Sequence, residues 1–175
     1  DEVEATAVGD RIGVINEGII EQIGAPEELY SFPKSVFVGR FIGSPTMNLT
    51  ECALKQLRDS WVLEASGFNL DIKTRAHEIK SEAMTQELLL GIRPEDISLL
   101  DSPENSGCFE GRVELTQNFG DERVITIRVG EVSLNCLTGK ERVFTYGQKV
   151  YVKFKEEKAH VFLRETGMAL GRSTN

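Results

Sequence analysis

The stretch that most constrains this chain is LLLGIRPEDISLL, residues 88–100. Its three consecutive leucines form an apolar run that favours a buried strand over a helix. Pro94 fixes its own φ and disfavours the helical region for Arg93, so the chain turns there. Glu95 and Asp96 follow, where an N-terminal half-turn exposes free N–H groups. The pattern predicts a strand, a sharp turn with an ionic tip, and a second strand. Arg93 is predicted to lock the turn through Glu95 or a backbone carbonyl.

The composition is that of a soluble globular protein. The chain has 175 residues, 40% of them hydrophobic and 27% charged, which suits one domain or one small domain with an attached piece. No apolar run approaches the ~20 residues that cross a bilayer. The net charge of −8 argues against a nucleic-acid or anionic-lipid surface, because phosphate contacts need clustered Lys and Arg.

Cysteine usage and the first residues give two further expectations. Cys52, Cys108 and Cys136 are far apart and lack a histidine at metal-ligand spacing. We interpret them as reduced, mostly buried thiols of a cytoplasmic protein. The chain begins with DEVEA and has no initiator methionine, which favours a piece of a longer protein.

The first 43 residues predict short helices around one hairpin. The predicted elements are the end of a helix over 1–8, a hairpin of 11–15 and 19–23 about Asn16-Glu17-Gly18, and helices over 26–31 and 34–42. Gly43-Ser44-Pro45 then breaks the chain. We place a domain boundary there, which divides the chain into units 1–43 and 44–175.

From residue 47 the pattern changes to short strands separated by glycine or charged turns. Besides the two strands of the opening stretch, strands are predicted over 48–53, 61–65, 68–72, 111–118, 123–129, 132–137, 149–154 and 160–163. Alternation assigns the apolar residues of 61–65 to one face and those of 68–72 to another. Residues 73–87 are polar and predict a surface connection. The strand spacing suggests a small barrel or a sandwich.

The residues form no recognisable catalytic constellation. A G-x-x-x-x-G-K-[ST] loop is absent from the sequence, so these residues have no obvious way to hold ATP. His77 and His160 fall in a polar connection and a strand, which favours solvated or hydrogen-bonded roles. Glu27 and Glu28 are adjacent and point in different directions on a helix, so they are not an acid–base pair. Asp121-Glu122 is typical of a solvated hairpin tip. We expect no catalytic, cofactor-binding or metal residue in this fragment, and no enzyme activity of its own.

The sequence also resembles a known family, the ATP-binding subunits of maltose-type ATP-binding-cassette (ABC) importers. DEVEA resembles the D-Q-x-E-A that follows the family's switch histidine, which would stand directly before Asp1. GDRIGVINEGIIEQIGAPEELYSFPKSVFVGRFIGSPTMN is similar throughout to the end of the family's nucleotide-binding domain. Its FIGSPTMN ending resembles the carbohydrate-importing branch. Gly9 and Gly39 stand where alanine is usual, which weakens two helices slightly.

Three further motifs resemble the family's regulatory domain. GIRPED, EGRVE and NFGDE are similar to its GIRPE(H/D), L-x-G-x-V and Q-L-G-x-E signatures. The resemblance implies a mainly β fold: a small oligonucleotide/oligosaccharide-binding (OB)-like barrel, the transport-associated domain, preceded by a short α/β tail of an ABC ATPase domain. It implies regulatory or interface roles for Gly91, Arg93, Glu95, Gly111, Gln117, Gly120 and Glu122.

One partner surface is implied by the family more specifically. In maltose-type members, the positions matching Gly91, Gly111 and Gln117 lie on a surface that a sugar-phosphotransferase regulator contacts. Gln117 stands where many members have Glu.

The resemblance implies a function for the whole parent subunit. The chain would be the regulatory and dimerisation domain, with the end of the nucleotide domain, of the ATP-hydrolysing subunit of an importer for a carbohydrate or related solute. The implied partners are a second copy bound through the barrel, integral-membrane permease subunits bound through the parent ATPase, and in some members a cytoplasmic regulator. The implied location is the cytoplasmic face of the inner membrane. ATP and Mg would belong to the parent chain, whose Walker A, signature and Walker B segments would precede Asp1.

Two other function classes stay open at this point. A barrel that senses a small molecule is one, since related barrels in oxyanion importers bind their ligand between subunits. Few convergent basic or hydroxyl side chains are recognisable here for an oxyanion or a sugar. A single-strand nucleic-acid binder is the other, but it needs a basic groove with stacked aromatics, and this chain has a net charge of −8 and 7% aromatic residues. The sequence does not identify the solute, the permease or a regulator.

Overall fold

The computed structural model describes residues 4, 6–7, 9–57, 60–72, 79, 87–104 and 107–171. Its helices are α1 (Pro26–Ser31) and α2 (Val36–Phe41). Its strands are β1 (Ile12–Asn16), β2 (Ile19–Gly24), β3 (Asn48–Leu57), β4 (Ser60–Ala65), β5 (Phe68–Asp71), β6 (Leu88–Ile92), β7 (Ile97–Leu100), β8 (Cys108–Phe119), β9 (Glu122–Val129), β10 (Val132–Gly139), β11 (Lys149–Phe154), β12 (His160–Leu163) and β13 (Ala169–Leu170). The mainly β prediction is confirmed, and β13 is the one labelled strand that the sequence pattern did not predict.

The first unit is a hairpin packed against two short helices. β1 and β2 pair through a turn in which Glu17 and Gly18 both have positive φ, 49° and 82°. Pro26 occupies the first turn of α1, as predicted. α2 is shorter than predicted because Ser35 caps its start, with its Oγ accepting a hydrogen bond from the Val38 N–H at 3.3 Å. The helix predicted over 1–8 is described only at residues 4, 6 and 7, which are helical.

Five strands form an antiparallel sheet in the order β10-β9-β8-β11-β7. The sheet curls towards closure, since the Cys136 thiol on β10 lies 3.0 Å from the Ile97 carbonyl at the start of β7. A register shift between Val113 and Leu115 adds to the curvature of β8.

The other antiparallel sheet has the order β13-β12-β6-β3-β4-β5. Leu63 pairs with Leu70, and Ala65 pairs with Phe68, across β4 and β5. Cross-strand partners point to the same side of a sheet, so the assignment of these two runs to different faces is wrong. Both runs contribute to one core because the turn at Ser66-Gly67 sets them in direct register.

The opening stretch does not form a hairpin within one sheet. Residues 94–96 make a 3-10 turn that carries the chain from β6 in the six-stranded sheet to β7 in the five-stranded sheet. A second 3-10 turn over 156–158 carries it back from β11 to β12. The two crossovers run side by side, and the Lys155 N–H donates to the Asp96 carbonyl at 3.0 Å.

Two apolar clusters hold the described residues together. The larger one is contributed by both sheets and includes Leu63, Leu90, Ile127 and Val150. Ile79 also joins it and is fully buried, so the predicted surface connection over 73–87 has at least one inward residue. The smaller cluster lies in the first unit and consists of Val14, Leu29, Val38 and Ile42. No helix among the described residues is long and apolar enough to span a membrane.

Candidate functional site

Arg93 is the most deeply buried charged residue of the predicted set, with 2% of its surface exposed. Its side chain leaves the barrel and enters the first unit. Nε and Nη2 donate to the Tyr30 carbonyl at 3.3 and 2.7 Å, and Nη1 donates to the Ile42 carbonyl at 2.8 Å and the Gly39 carbonyl at 3.4 Å. The guanidinium carbon also lies 3.6 Å from the centre of the Tyr30 ring. We call this arrangement the Arg93 anchor.

The predicted pairing of Arg93 with Glu95 is wrong. The alternative prediction, that Arg93 binds a backbone carbonyl, is correct. The carbonyls that it binds, however, belong to the first unit and not to the turn. Extended backbone at Arg93, with φ −76° and ψ 147°, directs the side chain away from the turn. Gly43 makes room for it, since a Cβ there would lie 2.7 Å from Nη1. Arg93 therefore fastens the first unit to the barrel.

Keeping Arg93 charged costs desolvation free energy, because its guanidinium is buried. Burial lowers the pKa of the guanidinium from its usual value to about 10, while the nearby Asp96 carboxylate opposes that shift. The group stays charged at neutral pH, and its hydrogen bonds to carbonyl oxygens offset part of the desolvation.

Glu95 lies on the other side of the turn in an unfavourable position for a charge. Burial is the main cause that raises the pKa of its carboxyl, and the Asp96 and Glu122 carboxylates raise it further. A backbone hydrogen bond and Lys155 oppose the shift. Its Oε1 is buried without a hydrogen-bond partner. Glu95 is thus destabilising when ionised and is not a structural lock.

We expect Glu95→Gln to raise the melting temperature at pH 7. A raised folded-state pKa means that the folded protein favours the neutral carboxyl. This stabilisation is fully present below the unfolded pKa of about 4.3 and is lost as the pH rises through the folded pKa. The gain from glutamine should therefore shrink as the pH falls towards 4. Thermal melts from pH 4 to 8 measure it, with the exposed Glu141→Gln as control. A gain that is constant over this range would contradict the buried-charge explanation.

Gly91 and Gly111 are both buried, in different sheets. A Cβ at Gly91 would lie 2.6 Å from the Met47 Sδ and 2.8 Å from the Phe162 Cε2. A Cβ at Gly111 would lie 2.7 Å from the Ile127 Cγ2. The glycines are thus required by close packing between strands. Their predicted regulatory roles stay predictions. Both glycines are buried, so a partner would contact the exposed residues around them and not the glycines themselves.

Gly91→Ala is expected to destabilise the protein by about 1–3 kcal/mol, because the new methyl overpacks a filled core. The long, unbranched Met47 side chain adapts more readily than Phe162, which is fully buried. Chemical denaturation measures the change. Gly13→Ala is the control, since its Cβ would meet only Ile23 at 3.5 Å. Equal stability of the two variants would show that the Gly91 contact yields freely.

Three predicted residues lie together at the exposed end of the β8–β9 hairpin. Gln117 and Glu122 are exposed, and Gly120 forms the turn between the strands with φ 63°. Glu122 pairs with Phe119, a residue that is 60% exposed, and Leu115 is 51% exposed. Alternation puts Leu115, Gln117 and Phe119 on one side of β8. We call Leu115, Gln117, Phe119 and Glu122 the hairpin face. Asp121, at the tip, is exposed and pairs with Lys140, which agrees with a solvated turn.

Sequence reasoning missed Asn48. Its Nδ2 donates to the Asn135 carbonyl at 2.8 Å and the Ile92 carbonyl at 3.2 Å, while its Oδ1 accepts from the Asn135 N–H at 2.7 Å. The amide thereby pairs with the outer edge of β10 as a neighbouring strand would. Only its place at the end of FIGSPTMN could have drawn attention to it. Sequence reasoning also missed Tyr30. Its carbonyl and its ring gain a role only because Arg93, 63 residues away in the sequence, binds them in the folded chain.

Other reactive side chains do not form a site in the part of the chain that is described. Burial raises the pKa of the Cys52 and Cys136 thiols to about 12, so neither is a nucleophile at neutral pH. Cys108 is only partly buried, unlike the other two. His160 is buried with its ring 6.1 Å from that of Phe162. His77 lies outside the described residues. Within the described part of the chain, no three His, Cys, Asp or Glu side chains come together in a way that could hold a metal ion.

Two family profiles match the barrel. The MalK OB fold domain matches residues 43–97, and the TOBE domain matches residues 90–162. Together they cover residues 43–162, which hold all strands from β3 to β11 and most of β12, and they overlap at the turn that contains Arg93. The fold and the matched profiles define a transport-associated OB-type barrel, as the sequence signatures predicted.

Matches to curated proteins extend over nearly the whole chain. The trehalose/maltose import ATP-binding protein MalK of Thermococcus litoralis is 35% identical over 97% of this chain and 46% of its own length. The alpha-glucoside transport ATP-binding protein AglK of Rhizobium meliloti is 34% identical over 95% and 45%. The xylose/arabinose import ATP-binding protein XacK of Haloferax volcanii is 31% identical over 97% and 44%. The chain thus spans just under half the length of these relatives. It belongs to the family of ABC importer ATP-binding subunits of the maltose/sugar type and corresponds to the C-terminal part of such a subunit.

One solved structure supports the fold. The cytoplasmic molybdate-binding protein ModG, in a form with molybdate bound, superimposes with a TM-score of 0.52 over 65% of this chain and 94% of its own. The two are 15% identical, so the likeness concerns the fold alone.

Proposed function

We propose that this chain is the regulatory and dimerisation part, with the end of the nucleotide-binding domain, of a carbohydrate importer's ATP-hydrolysing subunit. Residues 1–43 end the nucleotide-binding domain and 44–175 form the regulatory barrel. The relatives are named as ATP-binding proteins for the import of trehalose/maltose, the import of xylose/arabinose and the transport of alpha-glucosides. These names support a carbohydrate as the solute.

The Arg93 anchor is the observation that carries this proposal. It ties three carbonyls of the first unit to the turn between the two sheets of the barrel. A barrel fastened in this way moves with the end of the nucleotide-binding domain. Any partner that holds the barrel therefore changes the free energy of opening and closing in the ATPase, by its difference in affinity for the two states.

The hairpin face is the surface that we propose for dimerisation. It combines two exposed apolar side chains, Leu115 and Phe119, with the polar Gln117 and Glu122. An apolar patch rimmed by polar groups is typical of a protein–protein contact. Sedimentation velocity of the 175-residue chain tests it: Phe119→Ser should shift a dimer to monomer, whereas Tyr146→Ser, at an 87% exposed loop position, should not. Equal sedimentation of both variants and wild type would reject this face.

The remaining parts of the proposal concern the complete subunit. ATP and Mg would be held by segments outside these residues. Integral-membrane permease subunits would bind the nucleotide-binding domain at the cytoplasmic face of the inner membrane, and a cytoplasmic regulator is a further partner of the barrel. No nucleic acid is expected, given the net charge of −8.

Gene deletion in the native host tests the proposed function. Uptake of labelled sugars should be lost for one carbohydrate class and restored by the complete gene. The complete gene carrying Arg93→Ala should restore less uptake than one carrying the surface change Arg128→Ala at equal protein level. If uptake of an oxyanion were lost instead, the proposal of an importer subunit would stand and the proposal of a carbohydrate solute would be rejected. Unchanged uptake of all solutes would reject the importer.

A further inference from the structure

The strands at the ends of the two barrel sheets are protected against pairing with another chain. The Asn48 amide covers the outer edge of β10. The Cys136 thiol and the Arg142 guanidinium donate to carbonyls on the outer edge of β7. In the other sheet, β13 has two residues, and β5 has four with Asp71 at its end. Covered, short or charged edges are the usual devices that prevent strands of different chains from pairing.

The last five residues of β8, residues 115–119, lack such protection, and we call them the open edge. They pair with β9 on one side. On the other side β11 pairs with β8 only up to Arg112. The loop before β11 continues to Val113, whose N–H donates to the Gln148 carbonyl at 3.0 Å and whose carbonyl accepts from the Gly147 N–H at 2.8 Å. In the described part of the chain, the backbone of the open edge makes no hydrogen bond beyond its ladder with β9.

The hairpin turn determines which backbone groups of the open edge point outward. Phe119 and Glu122 close a two-residue turn, and the pair that closes such a turn is hydrogen-bonded. Bonded pairs alternate from there, so the N–H and C=O of Thr116 and Asn118 face away from β9. The Thr116 hydroxyl donates to the Phe144 carbonyl at 3.5 Å, but that contact uses the side chain and not the backbone. The outward groups form a template for one more antiparallel strand.

The side chains of the open edge suit a second copy of the same segment. The sequence LTQNF contains no charged residue and no proline, although 27% of the chain is charged. The charges that flank it already have partners, since Glu114 pairs with Arg128 and Asp121 pairs with Lys140. Two copies can therefore approach along this edge without bringing unpaired like charges together.

We propose that two copies of this chain pair through their open edges, antiparallel, with the two-fold axis at Gln117. Thr116 then exchanges backbone hydrogen bonds with the partner's Asn118. On the outer face Leu115 packs against the partner's Phe119, and the two Gln117 side chains meet at the axis as a close, non-hydrogen-bonded pair. The pairing thus buries the two apolar side chains that each hairpin face exposes. This inference rests on the proposed dimerisation and not on the proposed ATPase or solute.

Charges introduced at Gln117 test the position of the axis. Gln117→Lys puts two ammonium groups at the axis and Gln117→Glu puts two carboxylates there, so each variant alone should raise the dimer Kd at least about tenfold at low salt. An equimolar mixture sets Lys against Glu and should form a heterodimer with about the wild-type Kd. Sedimentation velocity of the 175-residue chain over a concentration series measures both effects, which should shrink at high salt. Gln117 is exposed, so the substitutions leave the core unchanged.

Asn69 provides the matched control, because it is exposed on β5, another strand at the end of a sheet. Asn69→Lys, Asn69→Glu and their mixture should all keep the wild-type Kd. Hydrogen exchange gives a second readout of the pairing. The amides of Thr116 and Asn118 should exchange more slowly as the dimer forms, whereas the Gln117 amide, which faces β9, should change little.

The outcomes separate this pairing from the proposed dimerisation. If Phe119→Ser abolishes a dimer but the Lys–Glu mixture does not restore it, the hairpin face stands and the edge pairing is rejected. A chain that is monomeric at all concentrations rejects both. Protection of the Thr116 and Asn118 amides only after another protein is added would reject the second copy as the occupant. None of these results changes the importer proposal, which the uptake experiment tests.

Discussion

Arg93→Ala is expected to lower the free energy of unfolding by about 3 kcal/mol, because it leaves three carbonyl oxygens without their charged donor. The hydrogen bonds to the Gly39 and Ile42 carbonyls are buried, so water cannot replace the lost donor. The Tyr30 ring also loses its contact with the guanidinium cation. For a chain of this length such a loss lowers the melting temperature by about 6–12 °C. Calorimetry measures the change. Hydrogen exchange should quicken first in α1 and α2, since the anchor holds them to the barrel.

Two further variants sharpen this test. Arg93→Lys should recover little, because one ammonium cannot reach the carbonyls that the planar guanidinium spans. Arg128→Ala is the matched control: its side chain is 47% exposed and pairs with Glu114, so its loss should cost less than about 1 kcal/mol. If Arg93→Ala and Arg128→Ala melt together, or if exchange quickens in the barrel and not in the helices, the anchor is not what joins the two units.

Asn48→Asp is expected to cost about 3 kcal/mol or more. The substitution keeps the shape but replaces the Nδ2 donor by an oxygen. That oxygen would face the carbonyls of Ile92 and Asn135, 3.2 and 2.8 Å from the present nitrogen. The change also introduces a charge at a position that is 9% exposed. Denaturation at pH 7 should show the largest loss, with partial recovery at low pH once the carboxyl is protonated.

The control for Asn48 is Asn118→Asp, at an exposed position of β8. It makes the same chemical change without burial, so we expect a shift within about 0.5 kcal/mol. Exchange of the Asn135 amide should increase in Asn48→Asp and stay unchanged in Asn118→Asp. An Asn135 amide that remains protected in Asn48→Asp would show that β10 does not depend on this side chain.

Local chemistry made much of the fold predictable. Pro94 forced the turn, Asn16-Glu17-Gly18 allowed a tight hairpin, and Pro26 with its two following glutamates began a helix. Each of these signals acts over a few residues, which is why most elements lie where the pattern predicts them although their ends shift by a few residues. The same signals, read together with the family motifs, predicted a mainly β barrel with a short α/β tail.

The side of each strand that meets the core, and contacts between residues far apart in the sequence, were not predictable in the same way. Alternation gives the two sides of a strand but not which side meets the core, so the relation of β4 to β5 was assigned wrongly. The partners of Arg93 and Asn48 are 51 to 63 and 44 to 87 residues away. No local pattern encodes such a contact.

The sequence alone therefore determined the class of fold, the family and the position of the turn at Arg93, because these depend on local backbone preference and on motifs. The tertiary structure decided that Arg93 fastens the first unit to the barrel and that Asn48 covers the edge of β10. Those features arise from groups brought together by folding. Their energies depend on burial and on hydrogen-bond geometry, which only the folded chain defines.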